Sequence, residues 1–182
     1  MAEPWQRRGK RRVIETRIFG LEAHALVHPR TGREHEFWIL DAPDWCNIVP
    51  LTADGRVVMV RQQRHGIGGE TLELPGGMID PHDSSPLEAA RRELLEETGY
   101  RAVDITQTGV IAPNPAMQTN RCWSFLAENV EKVAEPALDG GEDIDVVLVP
   151  YREIPERVAR GEIAHALVVV AFAYALGLRA PA

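Results

Sequence analysis

Three glutamates in one short stretch, Glu93, Glu96 and Glu97, have the type and spacing to do chemistry. On a helix, Glu93 and Glu97 stand one turn apart on a shared face, with Glu96 one step round. Like charges at that spacing repel, at a cost of about 0.2–0.5 kcal/mol per pair on an exposed helix. A hard divalent cation turns that cost into a gain. Mg²⁺, or Mn²⁺ in its place, binds through carboxylate oxygens and fills its other positions with water and substrate phosphates. The ordinary alternative for a bare Glu-Glu pair is a solvated acidic helix face. Two neighbours shift the balance toward a site: the Gly76-Gly77 turn upstream and the run Arg92-Glu93-Leu94-Leu95-Glu96-Glu97-Thr98-Gly99.

A helix is needed to hold those carboxylates, and its local signals are present. Ser85 precedes Pro86, and Glu88 follows three residues after Ser85, which is the capping-box pattern. Proline suits the first helical position, where its missing N–H costs nothing. Gly99 suits the left-handed position just past the end. Between them lie strong helix formers, with Leu87, Ala90 and Leu94 on a separate stripe that can face a core.

The segment from Arg92 to Tyr100 resembles, in full, the second half of the Nudix hydrolase signature: Arg-Glu-apolar-any-Glu-Glu-any-Gly-apolar. The first half departs twice. Asp83 stands where a glutamate is usual, and one extra residue separates it from Arg92. No ligand role is assigned to Asp83 on this basis. The resemblance implies an α/β/α sandwich with a mixed sheet, running from about Trp45 to the C-terminus. It also implies Mg²⁺-dependent cleavage of a diphosphate. Glu93 and Glu97 would hold the metal, with the Gly76 carbonyl as a further ligand. Glu96 would be a ligand or orient the attacking water, and Arg92 would pair with a neighbouring carboxylate. Glu142, in the loop Gly140-Gly141-Glu142-Asp143, is the matching general base, against the ordinary reading of an acidic surface loop.

Further positions resemble the ADP-ribose and nucleotide-sugar branch of that family. Gln62-Gln63-Arg64 matches a substrate-touching Gln-any-Arg, so Arg64 is a candidate phosphate clamp. Glu73 sits in Leu72-Glu73-Leu74-Pro75-Gly76-Gly77, a pattern common in that branch, although strand alternation alone could turn it to solvent. Pro115 follows Tyr100 at the branch's spacing. Its context, Pro113-Asn114-Pro115-Ala116, departs from the Ser-Pro-Gly of strict ADP-ribose enzymes and keeps broader nucleotide sugars in view. Trp45, Trp38 and Trp123 can stack on a base or serve as core. Rival functions are hydrolysis of dinucleoside polyphosphates or nucleoside triphosphates, and a non-catalytic nucleotide sensor.

The whole chain bounds these readings. At 182 residues it suits one catalytic domain with a substantial core. A net charge of −7 disfavours an electrostatic nucleic-acid binder. The one basic cluster, Arg7 to Arg12, reads as a flexible tail over residues 1–12. Cys46 and Cys122 lack metal spacing and read as a reduced intracellular pair. The first 20 residues lack an apolar signal core, and the longest apolar run, Ile163 to Leu176, is short of the roughly 20 residues that span a membrane. The expectation is a cytoplasmic protein acting on a small nucleotide.

Strand patterns fall at 13–19 and 21–27, then 36–40, 45–51, 57–60 and 71–74. Further ones fall at 102–105, 121–127 and 144–149, with helices at 154–160 and 163–176. Mixed strands and helices without regular βαβ alternation give an α+β class. Residues 13–44 form an antiparallel β extension before the 45–182 domain. In the resembling branch such an extension forms or exchanges across a homodimer interface. The six histidines show no metal pairing, and His65 and His165 read as structural or exposed.

Overall fold

The computed structural model describes residues 3–177; Met1 and Ala2 of the expected tail lie outside the described residues. The chain forms two compact units. One runs through Asp44 and takes in Ala112–Arg121; the other holds Trp45–Ile111 and the chain from Cys122 onward.

The first unit is a three-stranded antiparallel sheet of β1 (Gln6–Glu15), β2 (Gly20–Val27) and β3 (Glu34–Asp41), in that spatial order. The basic cluster is therefore a strand and not a flexible tail. The reason is charge pairing across the sheet. Lys10 bonds Glu22 at 3.0 Å, Arg11 bonds Glu36 at 2.9 Å and Arg12 bonds Asp41 at 2.7 Å. A row of cations that would repel in isolation meets a row of carboxylates on the next two strands. The 112–121 loop extends β3: Leu40 donates to the Met117 carbonyl at 2.7 Å and Thr119 donates to the Leu40 carbonyl at 3.1 Å.

The second unit contains β4 (Trp45–Leu51), β5 (Arg56–Arg64), β6 (Gly69–Glu73), α1 (Pro86–Thr98), β7 (Tyr100–Arg101), β8 (Ile105–Ile111), β9 (Cys122–Glu128), β10 (Glu131–Lys132), β11 (Ile144–Pro150), α2 (Ile154–Ala159) and α3 (Ala166–Ala175). The main sheet runs β11-β5-β4-β9-β8, with β6 paired to the far half of β5. The β4–β9 pair is parallel and the other pairs are antiparallel, so the sheet is mixed. Alternation along β4 divides the core. Ile48 packs with Ala90, Leu94 and Phe125 on the α1 side, and Val49 packs with Ile154, Val168 and Phe172 on the α2/α3 side. The result is an α/β/α sandwich.

Several boundaries differ from the sequence pattern: β1 lies at 6–15 rather than 13–19, and β8 runs over 105–111 where only 102–105 was expected. No strand covers 102–104, because Arg91 of α1 holds the Ala102 and Val103 carbonyls at 3.0 and 3.2 Å. The last helix begins at Ala166 rather than Ile163. Ile163 is buried in the α2/α3 layer, and His165 is the N-cap residue, with extended backbone.

Glu22 is the charge hub of the first unit. It is covered by its own partners, and hydrogen bonds from His24 and Lys10 pull its carboxyl down to about 2. A carboxylate depressed in the folded state stabilises above its ordinary value, and that stability fades as pH falls toward the folded one. The protection of β1–β3 amides, taken relative to the intrinsic exchange rate at each pH, should therefore fall between about pH 4.5 and pH 2. In Glu22→Gln that pH dependence should be lost; an identical profile in the variant would exclude the role.

Candidate active site

The helix that carries the glutamates forms as its local chemistry dictates. Ser85 caps it, accepting from the Glu88 amide at 3.2 Å, and Gly99 closes it in the left-handed conformation. Glu93 and Glu97 are buried, while Glu96 is partly exposed. The Pro75-Gly76-Gly77 segment is laid along β4: Cys46 donates to the Gly77 carbonyl at 2.9 Å and Ile48 to the Pro75 carbonyl at 3.0 Å. From there the Gly76 amide donates to Glu97 Oε2 at 3.0 Å. Gly76 is required by space, because a Cβ there would run into the Cys46 carbonyl oxygen; a Cβ on Gly77 would meet only the end of the Glu93 side chain, 2.5 Å from Oε1.

Arg92 ties the acidic cluster together. Its Nη1 donates to Glu93 Oε1 and to Glu96 Oε2, both at 3.0 Å. Its Nε and Nη2 make a fork onto Asp83 at 3.1 and 3.0 Å, and Nη2 also reaches the Met78 carbonyl at 3.3 Å. Asp83 is itself fixed by the Asp80 amide at 2.8 Å. The residue that the sequence left without a role thus orients the arginine. The Arg92 hydrogen bond in turn holds Asp83 below its ordinary carboxylate range.

The electrostatics of the buried pair suit a cation. Burial first, and the neighbouring Glu93 charge second, push Glu97 up to about 8. Burial is also the leading cause that raises Glu93. A shift of that size is roughly 4–6 kcal/mol against the charged form, ten times the repulsion expected on an exposed helix. Glu97 Oε1 and Glu93 Oε2 carry no hydrogen bond among the described residues. Two carboxylates with open oxygens and uncompensated charge fit Mg²⁺, which needs few protein ligands when phosphates and waters supply the rest. Among the described residues, no three His, Cys, Asp or Glu side chains are placed together to hold a metal ion, so the pair Glu93 and Glu97 would need water and phosphate as further ligands.

The same unit holds a cavity of about 720 Å³, within the range of nucleotide-sized sites. Gly76 and Gly77 form part of its wall, with the two carboxylates behind them. Arg64 and Glu73 lie in it together: Arg64 Nε and Nη2 fork onto Glu73 at 2.7 and 2.8 Å. Burial opposes the Glu73 charge, and the hydrogen bonds from Arg64 and Thr71 outweigh it, so the carboxyl is lowered. Trp45 also lines the cavity.

Two further expected site residues are not among those that line this cavity. Pro115 belongs to the other unit and does not line this cavity. Glu142 is exposed on its loop, where Oε2 accepts from the Asp139 amide at 3.0 Å; its charge nonetheless contributes to raising Glu97 and Glu93. Sequence reasoning passed over Asn47 and read His165 as structural or exposed; both lie in the cavity wall. The available signal for Asn47 was its position as the lone polar side chain within the apolar strand Trp45–Leu51.

Comparison with known proteins agrees with this geometry. A family model described as NUDIX domain matches residues 43–169. The chain is 26% identical to the ADP-ribose pyrophosphatase of Bacillus subtilis (strain 168), over 91% of this chain and 89% of that one. It is 28% identical to the GDP-mannose pyrophosphatase of Escherichia coli O1:K1 / APEC, over 91% and 92%. A solved structure titled as an ADP compounds hydrolase superposes with a TM-score of 0.85 at 22% identity, over 97% of this chain and 94% of that one, which establishes the shared fold.

The close approach at Gly76 makes a direct prediction. Gly76→Ala forces its Cβ against the β4 backbone and should destabilise the protein by about 1–3 kcal/mol in urea unfolding. A variant as stable as the wild type would show that the loop is not held against β4.

Proposed function

Because this chain belongs to the NUDIX domain family, we propose that it hydrolyses the diphosphate bond of a nucleoside diphosphate linked to a sugar, such as ADP-ribose or an NDP-sugar. The products are a nucleoside monophosphate and a sugar phosphate. The observation that carries the reading is the buried Glu93–Glu97 pair with open oxygens, set behind the glycine wall of a cavity that also holds Arg64. The names of two relatives, an ADP-ribose pyrophosphatase and a GDP-mannose pyrophosphatase, support the substrate class.

Glu93 and Glu97 are the Mg²⁺ ligands in this reading, with the Gly76 carbonyl and Glu96 as further ones. When bound, the cation neutralises the diphosphate and lowers the pKa of a coordinated water. The protein's own groups do the rest. Arg92, oriented by Asp83, keeps Glu93 and Glu96 in place. Arg64, held by Glu73, offers its remaining N–H groups to a phosphate. Glu142 takes the proton from the attacking water, exchanging its bond to Asp139 as the loop moves in. Trp45 gives an apolar face to the substrate, and Pro115 is the remaining candidate for contact with it.

The exposed Val13, Ile14, Phe37 and Trp38 of the N-terminal sheet supply apolar surface through which two copies associate. Among the described residues no helix is long and apolar enough to cross a membrane. Cys46 and Cys122 are buried and form no disulfide, which fits the cytoplasm.

A panel of ADP-ribose, GDP-mannose, UDP-glucose, a dinucleoside polyphosphate and a nucleoside triphosphate, each with Mg²⁺, tests the assignment through phosphate released after phosphatase coupling. Turnover should be highest on the first three compounds and should vanish with EDTA. Preference for the polyphosphate or triphosphate would replace the reading. Glu97→Gln should lower kcat by at least about a hundredfold while the unfolding temperature holds or rises, since a buried carboxylate is neutralised. Full activity in that variant would sink the metal assignment.

A further inference from the structure

Beside the glycine turn, two residues of the cavity wall each hold a polar atom without a partner among the described residues. Asn47, on β4, is 5% exposed, and its Nδ2 donates to the Leu167 carbonyl at 3.2 Å. That bond fixes the amide orientation and leaves Oδ1 buried without a partner. His165, the N-cap residue of α3, places Nε2 at 4.0 Å from Glu73 Oε2, and its Nδ1 is buried without a partner. With the ring proton on Nε2, toward that carboxylate, Nδ1 is an acceptor. Both residues line the cavity. Buried acceptors without donors are costly and are seldom retained unless something fills them.

We propose that Asn47 Oδ1 and His165 Nδ1 form a specificity pair that selects substrates presenting hydrogen-bond donors to this wall. The proposal rests on the hydrolase reading above and names what that site discriminates. The chemistry required is N–H or O–H donation from a group small enough to share the cavity with a diphosphate. An exocyclic amine on the base supplies it, and so do the hydroxyls of a sugar. Groups that offer only acceptors leave both atoms unpaired and are rejected. Arg64 and Glu73 stand on the same wall system through the His165–Glu73 approach, so recognition and phosphate binding share one carboxylate.

Calorimetric titration of the full chain with two matched pairs of product analogues tests this without depending on turnover. AMP against purine riboside 5′-monophosphate removes the amine donor and adds none. Ribose 5-phosphate against 2-deoxyribose 5-phosphate removes a hydroxyl. One pair should differ in affinity by about tenfold or more in the wild type, and the pair that differs identifies the group read. That difference should shrink to within about threefold in Asn47→Ala and in His165→Ala. His165→Ala leaves the Asn47–Leu167 bond in place, so loss of discrimination there is not a folding effect.

A wild type that discriminates neither pair, or that binds none of the four compounds, overturns the proposal. Discrimination that survives in one variant removes that residue from the pair. Turnover without discrimination would leave the hydrolase reading standing and sink this one. Discrimination without turnover on any diphosphate would do the reverse.

Discussion

Two carboxylates buried side by side on one turn of helix are the constraint on which this protein depends. Burial raises Glu97 to about 8, and Glu93 also shifts upward. Such an arrangement stands only if the surroundings hold it. Three devices do so. The Gly76 amide gives Glu97 one donor, and Arg92 gives Glu93 another. Close packing of Ala90 and Leu94 against Ile48 and Phe125 fixes the helix from below. What these devices leave is a pair of carboxylate oxygens with charge and no partner. A fully satisfied ion-pair network would have stabilised the fold and bound nothing.

The same constraint explains the turn before the helix. For the Gly76 amide to reach Glu97, the backbone must pass close to β4 on one side and to Glu93 on the other. Any Cβ fills that gap. The turn is then rigid because two β4 amides are spent on it, and this costs β4 part of its pairing with β5, which is reduced to Leu51 opposite Val57. The freed half of β5 pairs with β6 instead, and that hairpin carries Arg64 and Glu73 into the cavity. One local requirement at a carboxylate thus propagates into strand order.

How far this was legible in the sequence depends on the range of each interaction. The helix bounds follow from Ser85, Pro86 and Gly99, whose effects reach no further than one turn, and the structure ends α1 where those residues say. β4 could be read from its apolar run. Interactions that cross the chain could not. Nothing local says that Asp83 will fork onto Arg92, since the pairing depends on how the loop between them folds back. The basic residues of β1 look like a solvated tail until their partners on β2 and β3 are known. Arg64 and Glu73 could each be suspected alone, but their mutual fork needs the β5–β6 register, Gln63 opposite Glu70 and Arg64 opposite Gly69. His165 read as structural or exposed because the histidines show no metal pairing; its place in the cavity follows from where α3 starts.

The arrangement also separates two tasks that evolution can tune independently. The carboxylates, Arg92 and Asp83 belong to α1 and the loop before it. The cavity wall of Asn47, Glu73 and His165 draws on β4, β6 and the approach to α3. The two sets meet at the Gly76–Gly77 turn, which is wall to one and cover to the other. The backbone between them is pinned to β4 by the Cys46 and Ile48 amides. A fold built this way can keep one reaction and change its substrate. That is the pattern among its relatives, which bear the names of an ADP-ribose and a GDP-mannose pyrophosphatase.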